Sequence, residues 1–128
     1  MSLAVTLILP NQLFNEHPAI HIERPVYLIE EWHYFNQYNF HQQKLVLHRA
    51  SMKFYAEFLA SQGLEVNYIE AIGRLNKCEA LIKNLHANKV KQIQMVDPID
   101  NWVTRKIKDT CKKYSIELII YKNPNFLN

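Results

Sequence analysis

The chain has 128 residues, 48% of them hydrophobic and 21% charged. That is the size and composition of one self-stabilising domain, and it excludes disordered, collagen-like and disulfide-scaffold classes. Its two cysteines, Cys78 and Cys111, stand far apart and outside any CxxC spacing, and the net charge of +3 divides into −3 over residues 1–43 and +6 over the remainder. Neither a four-thiolate metal site nor a secreted disulfide framework is expected, and so mild a charge asymmetry does not by itself indicate nucleic acid.

No Lys or Arg precedes Arg24, so no signal peptide is expected. No apolar run reaches the roughly 20 residues of a membrane span, and a reducing cytoplasmic location is predicted.

Residues 4–9 form a short apolar run ended by Pro10 and Asn11, the pattern of a strand buried on both faces. Similar runs recur at 26–30, 65–69, 92–96 and 116–121, predicting five strands. The connection 10–25 is short and interrupted by proline, so only a turn or two is expected around Gln12 to Glu16. A long helix is predicted over 44–61, with Val46, Ala50, Phe54 and Phe58 repeating at i+4 beside Leu45, Met52 and Leu59. Arg49, Lys53 and Glu57 are assigned to its wet side and Gly63 to its stop. Asn76 and Glu79 read as a capping box for a second helix carrying Ala80, Leu81 and Leu85. A third runs from about Asp100 to Tyr114 with Val103, Ile107, Cys111 and Tyr114 on one stripe.

Strands alternating with helices imply βαβ units, right-handed crossovers and a mostly parallel sheet covered on both faces. With only Gly63 and Gly73 in the chain, there is no GxGxxG fingerprint and no P-loop.

Open parallel sheets bind ligands at the carboxyl ends of their strands. Those ends direct attention to Pro10, Asn11 and Gln12, to Glu30 and the residues after it, and to Asp97 and Pro98. Segment 32–43 concentrates Trp32, Tyr34, Phe35, Tyr38 and Phe40 among amides and two histidines without fixed charge. Such residues suit either stacking on a planar heterocycle or sealing an interface. Glu30 and Glu31 are adjacent, so on a strand they point to opposite faces and form no acid–base dyad. Glu30 is read either as an acceptor for a ligand N–H or as a solvated carboxylate.

His41 and His48 are too far apart on a helix for one metal ion. His48 is read as structural, Cys78 and Cys111 as small core residues, and no Ser/His/Asp or Cys/His constellation is apparent. Arg105, Lys106, Lys108, Lys112 and Lys113 cluster on the third helix. They are read as a solvated face complementing the helix dipole, with nucleic-acid contact as the rival.

Several strings match a family. They are Leu7 to Leu9 followed by Gln12-Leu13, the strand ending in Glu30, and His41-x-x-Lys44-Leu45 leading into 50–56 (ASMKFYA) and 63–68 (GLEVNY), with Asp97-Pro98, Trp102 and the closing Asn125-Phe126-Leu127. Together they resemble deoxyribodipyrimidine photolyase-related proteins, the iron–sulfur bacterial cryptochromes and prokaryotic (6-4) photolyases. The resemblance covers nearly the whole chain, but only the family's N-terminal α/β domain.

The resemblance implies a Rossmann-like three-layer α/β/α domain over 1–128, with a five-stranded parallel sheet in order 3-2-1-4-5, acting as an antenna. In the family a larger helical domain follows, which binds FAD and an iron–sulfur (4Fe–4S) cluster and repairs damaged DNA. That helical domain is absent from this chain, and in this reading it is the domain's partner and its link to damaged DNA. The implied antenna chromophore is 6,7-dimethyl-8-ribityllumazine. The positions implied to meet it are Pro10, Asn11, Gln12, Glu30, Trp32, Tyr34, Phe35, His41, Lys44 and Leu45.

Two departures from the family pattern stand out: Pro10-Asn11 where Gly-Asp is common, and Gln42-Gln43 where a more basic run is common. Pro10 removes a backbone donor and Asn11 puts a neutral amide in place of a carboxylate. The expected function is a light-harvesting, chromophore-binding domain of a photolyase- or cryptochrome-related repair flavoprotein, not catalytic alone. A stand-alone interaction or regulatory module without chromophore is the alternative.

Overall fold

The computed structural model describes residues 4–9, 12–13, 17–21, 24–30, 42–69, 78–98 and 101–123, the backbone alone at 42–48 and 101. In chain order the elements are β1 (Ala4–Ile8), β2 (Val26–Ile29), α1 (Gln42–Ser61), β3 (Val66–Ile69), α2 (Cys78–Ala87), β4 (Gln92–Val96), α3 (Asn101–Lys113) and β5 (Glu117–Tyr121). All five strands lie in one sheet in the order β3-β2-β1-β4-β5, every pair parallel. The fold class is therefore that read from the alternating strands and helices, and the strand order is that implied by the resemblance. No described helix is long and apolar enough to cross a membrane.

Strand alternation divides the core between the two faces of the sheet. On one face Val5, Leu7 and Leu9 of the β1 segment, Ile29, Ile93 and Met95 pack against Cys78, Leu81, Ile82 and Leu85 of α2 and Val103, Ile107 and Cys111 of α3. On the other, Ile8, Val26 and Leu28 pack against Met52, Tyr55 and Leu59 of α1 and against Leu64. The stripe predicted for α3 is buried as expected, and both cysteines are core residues. Burial pushes the Cys111 thiol up to about 11, which keeps it protonated and unreactive.

The predicted face of α1 is right for Met52, Leu59, Lys53 and Glu57 and wrong for Ala50, Phe54 and Phe58. Phe54 is 72% exposed and Ala50 and Phe58 are also on the outside, while Met52, Tyr55 and Leu59 face the sheet. Two apolar stripes compete on this helix, and periodicity cannot choose between them.

The three described helices end in the same way. Gly63, Lys89 and Ser115 adopt positive φ of 90°, 68° and 56°. The next residue's N–H returns to the helix: Leu64 to the Leu59 carbonyl, Val90 to Leu85 and Ile116 to Cys111, at 3.3, 3.0 and 2.8 Å. These are Schellman closures, and each places a buried apolar residue against another, so the turn is held by packing as well as by hydrogen bonds. Gly63 was legible as a stop. Lys89 and Ser115 were not, because neither residue is a usual left-handed terminator.

Between β1 and β2 the described residues around Ala19 are tied to β1. Thr6 Oγ1 donates to the Ala19 carbonyl at 2.8 Å, Arg24 Nη2 donates to the same oxygen at 2.9 Å, and the Ala19 N–H donates to His17 Nδ1 at 3.2 Å. Burial of His17 lowers its pKa to about 4.

Two predictions concern stability. An unfolded chain takes up a proton at His17 near pH 6.5 that the folded chain refuses until about pH 4. Stability should therefore fall as the pH drops through this window, by about 3 kcal/mol from this residue. His17→Asn keeps an acceptor for Ala19 without titrating, so urea midpoints across pH 4–7 should show a flatter slope; an unchanged slope would assign the acid sensitivity elsewhere. Lys89→Gly and Ser115→Gly, which relieve the left-handed penalty, should each stabilise by about 0.5–1 kcal/mol, read as raised melting temperatures.

Candidate functional site

The carboxyl edge of the sheet is organised by two buried polar side chains. Gln12, fully buried, accepts a hydrogen bond from the Leu9 N–H at Oε1 (3.3 Å) and donates from Nε2 to the Val96 carbonyl (2.8 Å). It thereby ties the end of β1 to the end of β4. The strand order reverses between these two strands, where open parallel sheets place ligands. Beside it, Asn123 Nδ2 donates to the Asp97 carbonyl at 3.0 Å and the Asp97 N–H donates to the Tyr121 carbonyl at 2.9 Å, fixing the ends of β4 and β5.

The second group is Glu30, immediately after β2. Its side chain is 0% exposed, its backbone N–H donates to the Ile69 carbonyl at 2.9 Å, and Arg49 Nε of α1 donates to Oε1 at 3.0 Å. Tyr68 of β3 donates its hydroxyl to Oε2. A buried carboxylate is tolerated only with such partners, because an uncompensated charge in the interior costs several kcal/mol. Lys53 Nζ lies 5.7 Å from the Tyr68 ring centroid, adding positive potential to the same corner.

Glu30 is thus not a solvated carboxylate. Both oxygens are used inside the protein, joining β2, β3 and α1. Arg49 and Tyr68 were missed by sequence reasoning, which placed Arg49 on the wet side of the helix. A signal was present: Arg49 is three residues before Met52 and ten before Leu59, in line with the buried stripe, and by alternation Tyr68 shares the α1-facing side of the sheet with Leu28 and Glu30.

Of the residues expected to meet a chromophore, Gln12 and Glu30 are brought to the carboxyl edge. Lys44 and Leu45 lie in the first turn of α1, described by backbone alone. Pro10, Asn11, Trp32, Tyr34, Phe35 and His41 lie outside the described residues. Asp97 and Pro98 follow β4 at the same edge. Arg105, Lys108 and Lys112 are exposed on α3, while Lys106 pairs with Glu79 at 3.0 Å and covers the Trp102 ring at 4.4 Å.

The Glu30 contacts predict a graded loss of stability. Tyr68→Phe should cost about 1.5–3 kcal/mol, the range of a hydrogen bond to a charged group. Arg49→Met should cost about 3 kcal/mol, the low end for breaking a buried pair, since Arg49 is 36% exposed. Glu30→Gln combined with Arg49→Met should recover part of that loss by removing the stranded charge. Urea unfolding checks the order, and an Arg49→Met chain as stable as the parent would show that the pair does not hold the helix.

Comparison with known proteins gives two findings. The chain is 29% identical over 131 residues to a protein of Acanthamoeba polyphaga mimivirus that is itself described as uncharacterized, the alignment covering 96% of this chain and 65% of the relative. The chain therefore spans about two-thirds of that relative's length. Residues 6–128 match the family described as deoxyribodipyrimidine photo-lyase-related protein. Since that match takes in every strand but the first two residues of β1, the chain belongs to the deoxyribodipyrimidine photo-lyase-related protein family.

Proposed function

We propose that this chain is the light-harvesting, chromophore-binding domain of a photolyase- or cryptochrome-related DNA repair flavoprotein, not catalytic by itself. The observation that carries this reading is the family match over residues 6–128 on a parallel sheet whose strand order reverses at the β1–β4 boundary. Such a boundary leaves a crevice at the carboxyl ends suited to a planar ligand. The antenna would be 6,7-dimethyl-8-ribityllumazine, which supplies light absorption when bound. FAD and the iron–sulfur cluster would belong to a helical partner domain, and contact with damaged DNA would run through that domain.

The described residues fit a supporting role. Gln12 and Glu30 direct their polar atoms into the protein, so they hold the strand ends in place as the floor of the crevice. Edge recognition and stacking then fall to Asn11, Trp32, Tyr34 and Phe35, with Pro10 narrowing the donor supply and His41, Lys44 and Leu45 at the approach to α1. One observation favours the second reading, an interaction module without chromophore: both described polar residues of the site are satisfied without a ligand.

Titration separates the two. In a Trp102→Phe background, 6,7-dimethyl-8-ribityllumazine should quench Trp32 fluorescence saturably, and Asn11→Ala should weaken binding by about 2- to 10-fold, the value of one neutral hydrogen bond. Glu30→Ala is unsuited to this purpose because it strands Arg49 and Tyr68. Unchanged fluorescence at high ligand concentration favours the interaction module. Under near-UV or blue light the chain alone should repair no pyrimidine lesion, since that chemistry belongs to a redox flavin; repair by the pure chain would overturn the assignment of roles.

A further inference from the structure

The outer side of α1 carries an apolar stripe. Ala50, Phe54, Phe58 and Ser61 are all exposed, Phe54 by 72% and Phe58 by 36%. At 100° per residue these four positions fall within about 80° of the helix circumference. Ser61 donates its hydroxyl to the Phe58 carbonyl at 2.6 Å, so it adds no unpaired donor to the stripe. The other exposed large apolar side chain among the described residues, Trp102, is different: Lys106 lies over its ring and also pairs with Glu79, so one face of the indole is already covered.

The stripe reads alike in both directions, small–aromatic–aromatic–small. Lys53 and Glu57, both exposed, lie together on one flank. When two such helices are laid antiparallel about a two-fold axis near Ala56, Phe54 meets the partner's Phe58, Ala50 meets the partner's Ser61 and Lys53 meets the partner's Glu57. Each contact then occurs twice, the requirement of an isologous interface. A parallel two-fold pairing would instead set this flank against the partner's opposite flank, so the Lys53–Glu57 contacts would not form.

We infer that the outer face of α1 is a self-association surface, on which two copies of this chain pair through antiparallel α1 helices. The pairing needs no chromophore and no second domain. Two phenylalanines per chain bury less than the roughly 1,200 Å² of a standard interface, so the dimer is weak, with a dissociation constant on the order of 100 µM.

Sedimentation equilibrium of the 128-residue chain from about 5 to about 500 µM should show mass rising from monomer toward dimer. Phe54→Glu should weaken association at least about 10-fold with an unchanged thermal melt, as its exposure implies. Glu57→Lys and Lys53→Glu should each weaken it by about 3- to 10-fold at low salt, and the double swap should restore it to within about 2-fold of the parent. Lys53 also leans over Tyr68, so each variant is paired with its melt, and Glu57→Lys is the cleaner single change. A parent that stays monomeric throughout, or a dimer undiminished in Phe54→Glu, would overturn the inference. A double swap no tighter than the single changes would overturn the antiparallel pairing.

Discussion

The buried carboxylate of Glu30 is the constraint on which the sheet's α1-facing side depends. A charge at that depth has to be met by donors, and among the described residues β3 supplies the Tyr68 hydroxyl and α1 the Arg49 guanidinium. Once Arg49 points at the strand end, the rotation of α1 about its axis is settled. Met52, Tyr55 and Leu59 turn toward Ile8, Val26 and Leu28, while Phe54 and Phe58 turn outward. One ion pair with a hydroxyl thus selects between two stripes of comparable hydrophobicity. Because Arg49 remains partly solvated, only one member of the pair bears the full desolvation cost.

The connections show a division of labour between the two edges of the sheet. Helices return to strands by short links, 62–65, 88–91 and 114–116, each built on a Schellman closure that brings the chain straight back into the core. Strands leave for helices by 30–41, 70–77 and 97–100, and β1 reaches β2 through 9–25. The amino edge is closed by packing rules that leave little freedom. The connections at the carboxyl edge differ more in length, and such an edge is where open parallel sheets carry recognition.

The two faces of the sheet also differ. The α2–α3 face is built on one large apolar cluster, whereas on the α1-facing side β4 and β5 carry a polar chain: Gln92 donates to Glu117, Gln94 to Gln92 and Tyr121 to Gln94, at 2.7, 2.7 and 2.6 Å. Satisfied amides at the half-buried end of a sheet keep that half open to water without unpaired groups. The basic residues of α3 lie on the far layer, where Arg105, Lys108 and Lys112 are exposed around a buried stripe. Their placement is what an amphipathic helix with a basic last turn requires.

Local chemistry in the sequence determined the five strands, the α/β class, the buried stripe of α3 and the glycine stop of α1. Each of these follows from short-range periodicity or from the backbone freedom of a single residue. Position in the chain also put Gln12 and Glu30 at the carboxyl edge, because both follow apolar runs that can only be strands. Other features required the tertiary structure: that Glu30 is a structural tie, that Arg49 and Tyr68 hold it, that Gln12 bridges β1 and β4, and that α1 turns Phe54 to the outside. These depend on pairs separated by 19, 38 and 84 residues. A periodic pattern on one element cannot report a donor supplied by another, and where two helical faces are equally apolar, the choice between them is made by whichever long-range charge must be satisfied.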